Sequence, residues 1–462
     1  MGLRSARHKP GLVVGALSLG TVLNPLNSSM IAVALISLQH DFSVDVETVT
    51  WVITAFYLTS AAGQPLMGRF ADRFGPRRLF LFGMVIVAIG CALTPFATGF
   101  VGVCAGRIVL AMGTATAFPA SVAMIHDIAA LAKASTPRLL GQIQLSNTLG
   151  AAIGPVLGGV LVTVLGWRAI FWVNVPLSLI SFLGVWLMAP KDPDRAKVPL
   201  RQTLIESDIP GIVLFIGMLT TLLIFLLDLS PSPLWWLLGA SVVLGVGFVW
   251  RELHTPFPFL DLRLLGANHR LIMVYVCFAL FSLVYYSAFY GLPQYLQEHA
   301  NYSAGFVGVL MFPLAAVTVI ITPLTTRAIE RFRLRPVLVF GAVVLVPGAL
   351  VLACATFTAA PWVILAMAAA LGIPYCVVSI AMNQALYSAA EPKNAGVAAG
   401  IFQTSRYIGA ISATTVLGVV FGGGTTPLHW LTVAVIASAL ALVHLVLIVF
   451  VRPRPSLTTQ QA

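Results

Sequence analysis

Charge is what this sequence has least of. Only 9% of its 462 residues are Asp, Glu, Lys or Arg, while 59% are hydrophobic. A soluble protein is roughly 25% charged, so a water-surrounded globule is excluded. Lipid must be the solvent for most of the chain. There, backbone polar groups have to be satisfied internally, by helices or by a closed barrel. Barrel strands alternate apolar and polar residues, and runs such as LFLFGMVIVAIGCAL (79–93) do not. Spanning helices remain.

Other absences narrow the function. No GxxxxGK[ST] loop occurs, which speaks against an ATP-driven pump. No segment between apolar runs is long enough for a soluble catalytic domain, and no acids, His or Cys cluster on facing helices. Neither an enzyme nor a metal or cofactor site is expected. Cys91, Cys104, Cys277, Cys354 and Cys376 all lie in apolar runs without metal-ligand spacing and read as small packing residues. The basic start followed by an apolar run past Leu35 is too long for a cleaved leader and reads as a retained first helix. No Asp or Glu falls near the middle of any apolar run.

Apolar segments near 11–37, 48–69, 78–98, 100–125, 138–165, 169–190, 209–228, 233–251, 270–291, 303–325, 336–356, 361–387, 395–421 and 428–450 predict fourteen crossings of about 20 residues each. With both termini cytoplasmic, 23 of the 26 Lys and Arg fall on the cytoplasmic side and only Arg168 outside, as the positive-inside rule requires. The net charge of +11 is then charge facing anionic lipid heads and needs no nucleic-acid partner.

The chain also repeats itself. LMGRFADRFGPRRLFLFG (66–83) lies without gaps over LTTRAIERFRLRPVLVFG (324–341), an offset of 258. GQIQLSNTLGA (141–151) matches GIFQTSRYIGA (400–410) at 259. This predicts an all-α membrane protein of two pseudo-symmetric six-helix bundles, residues 1–190 and 269–451. Loops and two inserted helices (191–268) lie between them and a tail (452–462) follows. Such halves are a transporter architecture with a site between them.

Three motifs carry a family resemblance. GRFADRFGPRR (68–78), GAAIGPVLGG (150–159) and GWRAIFWVNVP (166–176) resemble, in order, the loop, antiporter and branch-signature motifs of the major facilitator superfamily's fourteen-helix drug:proton antiporters. The resemblance implies a conformational latch at Gly68, Arg69, Asp72, Arg73, Gly75, Arg77 and Arg78. Asp72 would meet the second half near Asn394–Gly396. On the residues alone, the cluster could equally be a topology anchor. The motif on the fifth helix (Gly150, Gly154, Pro155, Gly158, Gly159) forms a smooth stripe for close helix packing, with a kink at the proline. In the family this stripe marks exporters and limits leak.

Arg107 and Asp127 are the candidates for coupling. A membrane-buried arginine is costly and usually functional; the alternative is an arginine reaching for the headgroups. A substrate cavity is expected from Asn24, Asn27, Gln64, Gln144, Asn147, Tyr285, Tyr286, Asn383, Gln403 and Arg406, each of which could instead be glue between helices. The expected function is secondary export of small amphipathic compounds across the cytoplasmic membrane by alternating access, driven by proton entry. The chain would work as a monomer, with the lipid bilayer and a small-molecule substrate as its partners. A differently coupled carrier for a lipid-like or anionic metabolite, or a non-transporting sensor on the same fold, stays open because the first helix lacks the carboxylate usual in these antiporters.

Overall fold

A computed structural model describes residues 10–132, 136–192, 208–227, 234–256, 258, 262–263, 268–389, 395–422 and 424–450. Among them there is helix and no strand. The helices of eight residues or more are α1 (Pro10–Met30), α2 (Leu35–Phe42), α3 (Trp51–Phe74), α4 (Pro76–Leu93), α5 (Phe100–Ala132), α6 (Thr136–Leu165) and α7 (Asn174–Met188), then α8 (Ile209–Leu227) and α9 (Trp235–His254). They continue with α10 (His269–His299), α11 (Ala304–Phe332), α12 (Leu334–Leu350), α13 (Pro361–Ala389), α14 (Ala395–Phe421) and α15 (Pro427–Phe450). A helix overlaps each predicted segment. Among the described residues ten helices are long and apolar enough to cross a membrane, or eleven if α1 and α2 are one bent span.

The chain divides into two compact units: residues up to 216 with 303–309, and 217–302 with 310 onward. In the first, α1 packs on α6 and α7, and α4 on α5 and α7. In the second, α10 packs on α14 and α15, and α12 on α13 and α15. Under the repeat these are the same four pairings, so the duplication seen in two short sequence matches extends to helix packing. A second correspondence lies at the loop motif. Arg77 Nη2 donates to the Trp186 carbonyl at the end of α7, and Arg335, its partner at offset 258, donates to the Val449 carbonyl at the end of α15. Arginine at the carbonyl end of a helix is favoured by the helix dipole.

The two first helices of the units differ. Pro25 lies inside α1 and removes a backbone donor. The hydroxyls of Ser28 and Ser29 donate back to the Pro25 carbonyl at 2.9 Å, a pattern that bends helices. After a short 3₁₀ turn at Ile31–Val33 the chain resumes as α2 at 62°. The predicted single segment 11–37 is therefore broken. Its counterpart α10 runs unbroken to His299, beyond the predicted end at 291. Every residue from Val284 to Gln297 is buried, so this helix is covered on all sides. Of the cysteines, Cys91, Cys277 and Cys376 are buried as expected, but Cys354 is exposed; it opens a short helical turn, Cys354–Phe357, between α12 and α13.

Candidate functional site

The buried polar groups of the first unit converge on α1. Asn27 and Asn174 are both 0% exposed. Asn27 Nδ2 donates to Asn174 Oδ1 at 2.6 Å, and Asn174 Nδ2 donates to Asn27 Oδ1 at 2.8 Å. Each amide also donates to a carbonyl four residues back, Leu23 and Ile170. Both side chains are thus well satisfied, and the pair ties α1 to α7. Arg107, on α5, is also 0% exposed. Its Nε donates to the Val52 carbonyl at 3.1 Å and its Nη1 to the Asn27 carbonyl at 3.4 Å. Its guanidinium carbon lies 4.3 Å from the centroid of Phe56. Carbonyls of α1 and α3 and an aromatic face thus hold Arg107 inside the bundle. Asn24 Nδ2 donates to the Thr114 hydroxyl at 3.2 Å. Gln64 is buried. Asn147 is half-buried, and its Oδ1 has no hydrogen-bond partner among the described residues. The side chains of Gln144 and Asp127 lie outside the described residues.

The second unit gathers rings instead. Tyr285 stacks on Tyr375 at 4.1 Å and 20°, and Tyr286 on Tyr290 at 5.5 Å and 17°. Arg406 is half-buried. It donates to the Tyr407 hydroxyl at 3.3 Å and lies 5.0 Å from that ring. Asn383 and Gln403 are half-buried. Asn174, Thr114 and Tyr375 were not among the sequence candidates. Asn174 stands within the quoted signature 166–176, so its signal was present; Tyr375 carried none beyond its apolar surroundings.

The glycine stripe does what its spacing implies. A Cβ on Gly154 would sit 1.7 Å from Ser29 Oγ and 3.1 Å from the Met30 nitrogen, and one on Gly158 would sit 2.8 Å from the Met30 carbonyl oxygen. Gly150 faces Val22 in the same way. All three allow α6 to lie directly on α1. Gly159 turns elsewhere: its added Cβ would meet the Ala304 carbonyl at 2.7 Å, and Gly308 approaches the Pro155 carbonyl equally closely. The first turns of α11, which belong to the first unit, thus pack on the other side of the stripe.

At the loop motif, the side chains of Arg69, Asp72 and Arg73 lie outside the described residues. What is seen is a cap. Gly75 has φ +97°, a conformation glycine tolerates, and it leads into α4 with Pro76 as first residue. Asp192, just past α7, accepts from the Arg77 and Arg78 backbone N–H groups, each at 3.0 Å. Its carboxylate lies where a Cβ on Gly75 would be, 2.4 Å away. An acid at a helix N-terminus meets both the free N–H groups and the positive dipole end. Gly75 is needed on both counts.

The branch signature organises the opposite end. Trp167 Nε1 donates to Asp41 Oδ2 at 2.7 Å, and Arg168 Nη1 to the same oxygen at 3.0 Å. Arg168 Nε reaches the Pro95 carbonyl at 3.2 Å. The Trp167 hydrogen bond, aided by Arg168 and opposed by partial burial, holds the Asp41 carboxyl below its ordinary value.

Comparison with known proteins gives the same direction. The sequence model of the Major Facilitator Superfamily matches residues 17–414. An uncharacterized MFS-type transporter of Bacillus subtilis, YwoD, is 37% identical over 422 residues, covering 90% of this chain and 91% of that protein. Multidrug resistance protein Stp of Mycobacterium tuberculosis (strain CDC 1551 / Oshkosh) is 27% identical over 88% of this chain and 75% of its own length. The tetracenomycin C resistance and export protein of Streptomyces glaucescens is 26% identical over 92% and 79%. In fold, the POT family transporter PepTSo superposes with a TM-score of 0.66 at 18% identity, covering 94% of this chain and 97% of that one. With a multi-pass helical architecture, a duplicated set of helix pairings and this match over most of its length, the chain belongs to the Major Facilitator Superfamily and is a membrane transporter.

Proposed function

We propose that this transporter is a secondary exporter of small amphipathic compounds, driven by proton entry and working by alternating access. In this reading it crosses the cytoplasmic membrane fourteen times as a monomer, with both termini in the cytoplasm. The observation that carries the proposal is the α6 glycine stripe. It lies against the α1 backbone and, through Gly159, against the first turns of α11. A helix clasped this closely resists the small separations through which protons and solutes would leak, as an exporter working against a gradient requires. The relatives named for drug resistance and antibiotic export support the direction of transport.

Arg107 and Asp127 are the residues to test for coupling. The loop motif, with Asp72 and the Asp192 cap, is assigned to the contact that holds the cytoplasmic side shut. A second reading, a carrier not driven by protons, is favoured by one observation. At Asn24 and Asn27, α1 holds hydrogen-bonded amides, groups that do not titrate. Efflux from everted vesicles, measured with and without a pH gradient across cationic, neutral and anionic compounds, separates the two. Gradient-dependent accumulation is the expected result. Gradient-independent flux selects the second reading, and no flux of any compound overturns both.

A further inference from the structure

One helix changes unit partway along. Residues 303–309 belong to the first unit and residues from 310 onward to the second, yet α11 is a single helix from Ala304 to Phe332. Pro313 lies inside it. A proline has no N–H, and the carbonyl it leaves without a helical donor is the one four residues back, that of Val309. The missing hydrogen bond therefore falls at the boundary between the units.

The helix is gripped at its backbone on each side of that gap. Before it, a Cβ on Gly305 would sit 2.6 Å from Thr163 Oγ1, and one on Gly308 would sit 2.7 Å from the Pro155 carbonyl oxygen and 3.2 Å from Gly159 Cα, all on α6. After it, a Cβ on Gly372 of α13 would sit 2.8 Å from the Leu314 carbonyl oxygen and 3.3 Å from Leu314 Cα. Helix α6 belongs to the first unit and α13 to the second. The internal repeat marks the same place. Ser303 Oγ accepts from the Phe306 N–H at 3.3 Å, and at offset 258 Asp45 Oδ1 accepts from the Thr48 N–H at 2.7 Å. After that cap the first unit makes a separate short turn, Val46–Val49, and starts α3 at Trp51, the counterpart of Val309. The first unit interrupts its helix where the second withdraws a hydrogen bond.

Bending a helix sharply breaks N–H···O=C bonds, and at Val309 the bond is already gone, so a bend costs least there. Lifting the first turns off α6 would instead separate two closely packed backbones and forfeit their dispersion contacts. We propose that α11 is jointed at Val309–Pro313: its first turns, residues 304–309, stay fastened to α6 while the remainder moves with α13. The joint lets the second unit move without opening the α6 clasp. The inference deepens the alternating-access reading, and rests on it for what the motion serves.

The test is pulsed electron–electron double resonance on the full-length protein in phosphatidylethanolamine–phosphatidylglycerol nanodiscs, at acidic and at alkaline pH. Nitroxides are attached two at a time through Phe96→Cys, Phe306→Cys and Leu428→Cys. All three sites are exposed, so labelling leaves the packing in place. Cys104→Ala and Cys354→Ala remove competing thiols; the other cysteines are buried. Phe96 and Phe306 belong to the first unit and Leu428 to the second, so the Phe96–Leu428 distance reports movement of the units. The Phe96–Phe306 distance is expected to stay single, while Phe306–Leu428 divides into two populations as Phe96–Leu428 does. A divided Phe96–Phe306 distance, or a single Phe306–Leu428 distance, overturns the proposal. A single Phe96–Leu428 distance in every condition also overturns it, because a joint between units that do not move has no role. Pro313→Ala gives the Val309 carbonyl its donor back without harming the helix. Bending then breaks one more hydrogen bond, and the ratio of the two Phe306–Leu428 populations should shift about fivefold. An unchanged ratio overturns the joint on its own. No gradient or substrate is needed, so absent vesicle flux with these distances as expected sinks the export reading and spares the joint. Gradient-driven flux with a divided Phe96–Phe306 distance sinks only the joint.

Discussion

The α1/α6 pair of the first unit and the α10/α14 pair of the second are one pairing used twice, packed with different material. Against α1, α6 presents Gly150, Gly154 and Gly158. The matching positions on α14 are Gly409, Ala413 and Leu417. Only Gly409 keeps the close approach, its added Cβ falling 2.3 Å from the Ala279 carbonyl; Leu417 instead fills the space over Gly291. Behind these helices, the first unit is tied by directional bonds, the Asn27–Asn174 pair and Arg107 on two carbonyls. The second is filled by stacked rings around Tyr285 and Tyr375. Duplication has preserved which helices touch, while the chemistry of each contact has diverged. Hydrogen bonds fix one geometry; stacked rings and aliphatic contacts tolerate sliding.

The largest expected effect probes the stripe. Leu417 is 1% exposed, so Leu417→Ala should lower the stability of the purified protein by about 2–5 kcal/mol. Gly158→Ala should cost about 1–3 kcal/mol by overpacking, since the obstacle is the Met30 carbonyl rather than a movable side chain. The two should differ in rescue. Adding Gly291→Ala to Leu417→Ala fills space that the leucine vacated and should recover part of the loss in thermal unfolding. If Gly158→Ala proves neutral, the first unit is not close-packed in the way described.

Next comes the amide pair. Asn27→Leu and Asn174→Leu each strand a buried amide and should cost about 1–3 kcal/mol. The double variant should cost clearly less than the sum, because contacting residues couple. In the second unit, Tyr285→Phe and Tyr375→Phe remove only hydroxyls and keep the stacked rings, so their coupling should be smaller than that of the asparagines. Additive losses at the asparagines would dissolve the contrast between the units.

A smaller effect tests the two helix starts related by the repeat. Gly75 and Arg333 correspond at offset 258 and both have positive φ, +97° and +67°. Gly75→Ala should destabilise by about 1–3 kcal/mol, through backbone strain and displacement of the Asp192 carboxylate. Arg333→Gly should stabilise by a few tenths to about 1 kcal/mol, as it relieves the same strain. Denaturation midpoints of the two variants moving the same way would contradict a shared geometry.

Much of this was legible from sequence for identifiable reasons. Apolar runs and loop arginines report solvent and topology directly. The glycine stripe was readable because four-residue spacing places side chains on one helix face, and each glycine is explained by a local contact. Arg107 is legible because a charge inside an apolar run is costly. The misses are long-range. Nothing local to Asp192 says that it caps a helix begun 116 residues earlier at Pro76. Nothing near Asn27 names Asn174 as its partner, so an amide absorbed in a structural pair looked like a cavity lining. The predicted ninth segment ends at 291, short of the helix that the chain forms to His299. In the structure Pro293 is carried within α10, where packing on every side maintains the helix.

The smallest effect concerns Asp41, whose Oδ2 accepts from both Trp167 and Arg168. Its folded-state pKa lies below the ordinary carboxylate value because Trp167 and Arg168 donate to it. As pH falls below about 5, the unfolded chain takes up a proton on Asp41 before the native chain does. The stabilisation is therefore complete above the unfolded pKa and is lost as pH falls through the folded one. Wild type should lose thermal stability between about pH 5 and pH 3 more steeply than Asp41→Asn, with the two curves converging at the acid end. The separation is expected to be small, since the Asp41 and Arg168 side chains are 45% and 44% exposed and water screens such pairs. Raising the salt should shrink the Arg168 share first, because the Trp167 hydrogen bond has a neutral donor and is less screened. Parallel curves for wild type and Asp41→Asn would mean that the signature residues hold this end by packing alone.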